Sequence, residues 1–144
     1  MANTNSNRYF RWTTVGAYVA KGVTLCLSVM YKPVSGADEF CMEIAYTAGY
    51  STSQSWATIK PTDQLEIEQT DGWVLRYGLW TPPDNATLKL VDMGSGTTHA
   101  GTGNYTNKFS LLHPMLQYGN APTAWNASSG DYLTQELSLI HISE

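Results

Sequence analysis

Residues 109–125 read FSLLHPMLQYGNAPTAW, an apolar strip broken by Pro114 and again by Gly119. A helix is excluded because Pro114 would sit in its interior, where it removes a hydrogen bond and clashes with the preceding turn. A central strand is excluded as well, since proline cannot donate to a ladder. What remains is a closing strand that kinks at Pro114 and leaves its sheet at Gly119. Phe109, Leu111, His113 and Met115 are expected on one face of it, and Ser110, Leu112, Pro114 and Leu116 on the other.

Working outward, the same period of two recurs. In 23–32 (VTLCLSVMYK), Val23, Leu25, Leu27, Val29 and Tyr31 share one face, and Thr24, Cys26, Ser28, Met30 and Lys32 the other. This alternation marks a half-buried strand. In 40–46 (FCMEIAY), Phe40, Met42, Ile44 and Tyr46 are expected inward. Leu65 and Ile67 of QLEIEQ, Trp73, Leu75, Tyr77 and Leu79 of WVLRYGLW, and Leu88 and Leu90 of ATLKLVDM are read inward too. RYFRWTTV supplies a further strand near the start. Between these runs lie turn-forming clusters, PVSGAD, TAGYSTSQS, PTD, TDG, PPDN and the long GSGTTHAGTGNYTN. Short strands separated by turns, with no helical stripe, predict an all-β protein: a jelly-roll β-sandwich of two antiparallel sheets.

Composition agrees. The 144 residues are one domain's worth, 42% are hydrophobic, and only 14% are charged, so the polar surface must come from Thr, Ser, Asn and Gly. The formal net charge of −4 and the scattered basic residues argue against nucleic acid as a partner. No apolar run reaches the length of a membrane span, and the polar start lacks the features of a signal peptide, so synthesis in a cytoplasm without membrane insertion is expected. Cys26 and Cys41 are then expected as reduced, structural thiols; if 23–32 and 40–46 form a hairpin, Cys26 lies nearer Ala45 than Cys41.

Little in the chain points to catalysis. No zinc-ligand spacing, phosphate loop or serine elbow occurs. Glu66 and Glu68 would stand about 7 Å apart on one strand face, but such a pair usually just solvates a surface. The aromatic residues are more informative. Trp80 is read on the outward face of its strand, with Arg76 four residues back and Gly78 leaving a trough between them. A flat ring beside a fork of donors suits a sugar, whose C–H face stacks while its hydroxyls meet polar groups. Trp56 and Tyr50, placed in the polar TAGYSTSQSW loop, extend this platform. In the alternative, Trp80 is covered by a loop or another subunit.

The closing segment carries a resemblance. MLQYGNAPTAW, through Leu116, Gly119, Ala121, Thr123 and Trp125, with Asp131 beyond, resembles the last strand and exit of carbohydrate-binding-module-like jelly rolls in bacteriophage tail and other virion proteins. KGVTLCLSVMYKPVSG is similar to a second strand of that family through Gly22, Thr24, Leu27, Ser28 and Lys32, and GWVLRYGLWTPP more loosely to a third. The likeness spans roughly 8–135. Gln117 stands where the family carries an acid and Gly78 where it carries a small polar residue, so no metal or cofactor is expected. The resemblance implies a non-catalytic module of a phage tail or fibre that adheres to host-surface glycans beside other virion subunits, and a place in the virion tail after synthesis in the host cytoplasm. A structural or oligomerising virion module and an ancillary domain of a secreted glycoside hydrolase are the alternatives. Residues 137–144, LSLIHISE, resemble the translated transposase adapter used in shotgun sequencing. They are read as a sequencing scar, with 1–136 as one domain whose natural chain continues further.

Overall fold

The computed structural model describes residues 9–96 and 107–123. His99, Trp125, Asp131 and the 137–144 segment lie outside the described residues. The chain forms β1 (Tyr9–Val19), β2 (Leu25–Ser35), β3 (Phe40–Ala48), β4 (Gln54–Ile59), a 3-10 turn (Pro61–Asp63), β5 (Leu65–Glu68), β6 (Val74–Trp80), β7 (Ala86–Ser95) and β8 (Lys108–Tyr118). Among the described residues they make two antiparallel sheets of four strands each, sheet A in the order β1-β7-β3-β4 and sheet B in the order β5-β6-β2-β8. The pair β1/β7 lies in one sheet and the pair β2/β6 in the other, so the outgoing and returning strands are shared between the two layers of a β-sandwich. The β3–β4 hairpin stays within sheet A, and β8 joins sheet B beside β2.

The core is the set of inward residues that period two assigns to β2 and β3: Leu25, Leu27, Val29 and Tyr31 against Phe40, Met42 and Ile44, joined by Leu88, Val91, Met93 and Leu116. Tyr31, Phe40 and Phe109 form an aromatic cluster at one end, with ring centroids 5.1–5.6 Å apart.

Several expected placements are corrected. β2 and β3 do not pair; the connection after Ser35 crosses between sheets. Trp56 belongs to strand β4 rather than a loop, and pairs in register with Ala45. In β7, Leu88 is inward but Leu90 is not, because Ala45 and Tyr46 oppose Leu90 and Leu88, leaving Lys89 as a bulge that resets the alternation. In β8 the ladder slips between Ser28/Met115 and Met30/Leu112, and His113 takes a left-handed φ of 57°. Phe109 and Leu111 therefore share the core face with Leu116, while Met115 turns to the other side. Pro114 is tolerated because it falls in this slip of the β2 ladder, with β2 the one neighbour of β8 among the described residues, and Gly119, with φ 115°, takes the chain out.

The largest correction concerns the β5–β6 hairpin, whose two strands are both reversed. In register, Trp80 opposes Leu25, Gly78 opposes Leu27 and Arg76 opposes Val29, so these three share the core face. Residues directly opposite each other point the same way. Leu75, Tyr77 and Leu79 are consequently outward, together with Leu65 and Ile67. The edge strand β4 decides this: a Cβ on Gly78 would lie 2.8 Å from Ile59 Cγ2, so only glycine lets the sheets close there.

Cys26 and Cys41 alternate with core residues on different sheets, and so point away from each other on opposite sides of the sandwich. Both are free and buried. Burial pushes the Cys26 thiol up to about 12 and the Cys41 thiol up to about 11, from an ordinary 9.0. Burial, then the charge of Asp38, pushes Tyr31 up to about 12. Above pH 9.0 an unfolded chain sheds thiol protons that the folded chain keeps. Stability from the thiols is thus complete below that pH and declines as pH rises toward 11–12. Urea midpoints should hold from neutral pH to about 9 and then fall, with a shallower fall in Cys26→Ala. Parallel alkaline profiles for the two proteins would refute the assignment.

Candidate functional site

The four aromatic and basic residues singled out from sequence do not meet on one surface. Arg76 is buried beneath the β5 edge, its guanidinium carbon 4.0 Å from the Tyr31 ring centre. Its nitrogens donate to Glu66 Oε2 at 3.0 Å and to Asp38 Oδ1 at 3.0 Å; burial alone would lower its pKa, but the bonds to Asp38 and Glu66 together outweigh it and raise it. Trp80 is half-buried, packs on the core and lies 4.8 Å from the Tyr46 ring. The outward trough built on Trp80, Arg76 and Gly78 is therefore overturned. Trp56 sits on the outward face of sheet A, half-buried. Only Tyr50, fully exposed in the β3–β4 turn, stands free as expected.

Tyr50 belongs to a different constellation. The β1–β2, β3–β4 and β6–β7 turns and the exit of β8 all lie at one end of the sandwich, because Val19 and Ala48 both pair with Ala86, and Trp80 and Tyr118 both pair with Leu25. Asn85 joins three of the turns. Its side-chain oxygen accepts from Lys21 N at 2.9 Å, and its carbonyl accepts from Gly49 N at 2.7 Å. Gly22 N donates to Pro82 O at 3.3 Å, and both glycines have positive φ, which suits a residue without a side chain. The β8 exit is tied in by Gly119 N donating to Thr24 O at 2.9 Å, while Thr24 and Thr81 hydroxyls meet at 2.7 Å. Beyond it Gln117 and Thr123 clasp each other: Nε2 donates to Oγ1 at 3.1 Å, and Thr123 N donates to Oε1 at 3.2 Å.

These bonds fix the end as one surface. It carries three exposed tyrosines, Tyr18, Tyr50 and Tyr118. Beside Tyr118 an open cleft of about 380 Å³ is lined by Val23, Thr24, Tyr118, Gly119 and Asn120. Within the segments 20–24, 49–53, 81–85 and 119–123 the charged side chains are Lys21 and Asp84; the rest of the polarity is hydroxyl and amide. Such a surface offers ring faces and neutral donors and acceptors, the groups a polyhydroxylated ligand requires. Tyr118 and Tyr18 were not singled out from sequence. The available signal was an aromatic directly before Gly119, at the point where the closing strand leaves its sheet.

Two wholly buried carboxylates elsewhere are engaged. Asp92 accepts from Arg11 Nε and Nη2, both at 2.7 Å, and Glu43 accepts from Thr58 Oγ1 at 2.9 Å. Among the described residues no group of three or more His, Cys, Asp and Glu is placed to hold a metal, and no helix is long and apolar enough to cross a membrane. The sequence matches no protein-family model, and no curated protein is significantly similar to it.

Proposed function

We propose that the chain is a non-catalytic glycan-binding module of a phage tail or fibre protein, adhering to host-surface saccharides through the loop end rather than through a sheet face. The observation that carries this reading is Tyr118 exposed beside the cleft, with Thr24 and Asn120 on its walls and Tyr50 exposed in a turn of the same end. Near-neutral surroundings favour uncharged sugars over sialylated or phosphorylated ones. The virion setting rests on the resemblance of the closing segment. Its support is that residues of two resembling stretches meet, since Gly119 N bonds to Thr24 O.

Glycan arrays followed by calorimetry on the best binder test the proposal. Tyr118→Ala should weaken binding roughly tenfold, the loss of about 1.4 kcal/mol of stacking, while melting stays within a few degrees of wild type. Tyr50→Ala should reduce binding further. Absence of binding across neutral glycans, or full affinity in the Tyr118→Ala/Tyr50→Ala protein, would remove the loop end as the site.

A further inference from the structure

The cleft beside Tyr118 is small. At about 380 Å³ it stands at the lower end of ligand-binding clefts, which run from roughly 300 to 1,000 Å³, so it takes one sugar ring with its substituents. Its walls differ in kind. Tyr118 offers an exposed ring. Val23 offers a half-buried apolar wall held in place, since its N–H donates to Ala20 O at 3.1 Å and its side chain packs on the core. Thr24 is already engaged twice, its carbonyl by Gly119 N and its hydroxyl by Thr81. The polar side chain left over is the Asn120 carboxamide, exposed and unpaired among the described residues. A β-carbon on Gly119 would meet nothing within 4 Å, so the space between Tyr118 and Asn120 is open. Gln117, buried and bonded twice to Thr123, closes the segment that carries both residues and holds it in shape before a ligand arrives.

We infer, on the reading that this end binds glycan, that the cleft takes an uncharged sugar bearing an acetamido group. The substituents that a neutral sugar can present decide the matter. A hydroxyl or hydroxymethyl group satisfies Asn120 but leaves Val23 against water. The methyl of a 6-deoxy sugar covers Val23 but leaves the carboxamide to solvent. An acetamido group does both, because its planar amide ends in a methyl: the methyl lies on Val23 while the carbonyl accepts from Asn120 Nδ2. The C–H face of the ring then stacks on Tyr118. A methyl taken out of water and one further hydrogen bond together give about a tenfold preference over the same sugar with a hydroxyl in that place. None of the five lining residues is charged, so the preference is insensitive to salt.

The test is NMR titration of the full chain with matched sugars, at low and high salt. The methyl glycosides of N-acetylglucosamine and N-acetylgalactosamine are set against those of glucose and galactose, and L-rhamnose against L-mannose to isolate the methyl. Wild type should bind at least one acetamido sugar about tenfold more tightly than its hydroxyl counterpart. Asn120→Ala, at an exposed residue, should cut that ratio to about threefold and change affinity for the hydroxyl sugar by less than about twofold. Val23→Thr, close to valine in shape but with a hydroxyl in place of one methyl, should cut the ratio by a similar factor, with an unchanged near-ultraviolet spectrum to show that it is folded. Equal affinity for acetamido and hydroxyl sugars, a preference confined to rhamnose, or a ratio that Asn120→Ala leaves intact would overturn the inference while the loop end stays a glycan site. Binding of none of these sugars would overturn it as well, and would take the glycan reading with it only if the array of neutral glycans is also blank.

Discussion

Gly78→Val should lower the thermal midpoint by about 10 °C, the consequence of roughly 3 kcal/mol of lost stability. The β-carbon it adds would arrive 2.8 Å from Ile59 Cγ2 and 2.9 Å from Cδ1, closer than carbon atoms approach in folded proteins. Ile59 is buried within the core cluster, so it has no empty space to enter. Relief must come from β4 moving away from β6, which opens the seam where Trp80 packs near Tyr46. Alanine at the same position should cost less, about 1–2 kcal/mol, because it brings the same β-carbon without the two further methyl groups of valine. Differential scanning calorimetry of the two variants reads both numbers; a valine variant melting within 2–3 °C of wild type, under 1 kcal/mol, would contradict the packing.

The second large effect lies on the outer face of sheet A. Asp92 has 0% side-chain exposure and holds Arg11 by two bonds, while Arg11 itself is 39% exposed. In register, Asp92 stands directly opposite Glu43, also wholly buried, so two carboxylates face each other across neighbouring strands. Like charges so placed repel. The Arg11 guanidinium is thus stabilising less as a surface ion pair than as the counter-charge of a dehydrated site. Arg11→Ala should cost about 3 kcal/mol in urea denaturation, at the lower edge of what breaking a buried pair costs because Arg11 is partly hydrated. Arg11→Lys should recover less than half, since an ammonium cannot fork onto both oxygens. If Arg11→Ala and wild type unfold at the same urea concentration, Asp92 is not relying on that cation.

Why some placements were legible and others not follows from particular residues. The core faces of β2 and β3 were readable because only one parity of each strand holds a continuous set of large apolar residues, Leu25 to Tyr31 and Phe40 to Ile44. In β6 both parities are plausible: Leu75, Tyr77 and Leu79 on one side, Val74, Gly78 and Trp80 on the other. A one-residue choice reverses every side chain of a strand. What decides it is non-local, namely the approach of Ile59 to Gly78 and the reach of Arg76 to Asp38, far apart in the chain. Bulges set a second limit. Lys89 and His113 each insert one residue, which moves Leu90 and Met115 to the face opposite the one periodicity assigns. Pro114 and Gly119 were informative because their backbone restrictions are intrinsic and survive any tertiary context. The candidate site shows the same division. The exposure of Tyr50 was legible because its turn is local, whereas the meeting of Thr24, Asn85 and Gly119 depends on four connections arriving at one end of the sandwich.

Both the inward Trp80 and the exposed Leu65, Ile67 and Leu79 depend on which way the β5–β6 hairpin is turned, and a double-mutant cycle between Gly78 and Ile59 measures that directly. With Gly78→Val and Ile59→Ala made singly and together, the arrangement predicts that the valine's cost largely vanishes once Ile59 is truncated, a coupling of at least about 1.5 kcal/mol. Additive costs within about 0.3 kcal/mol would mean that the two residues do not touch, and that Arg76, Gly78 and Trp80 face solvent after all.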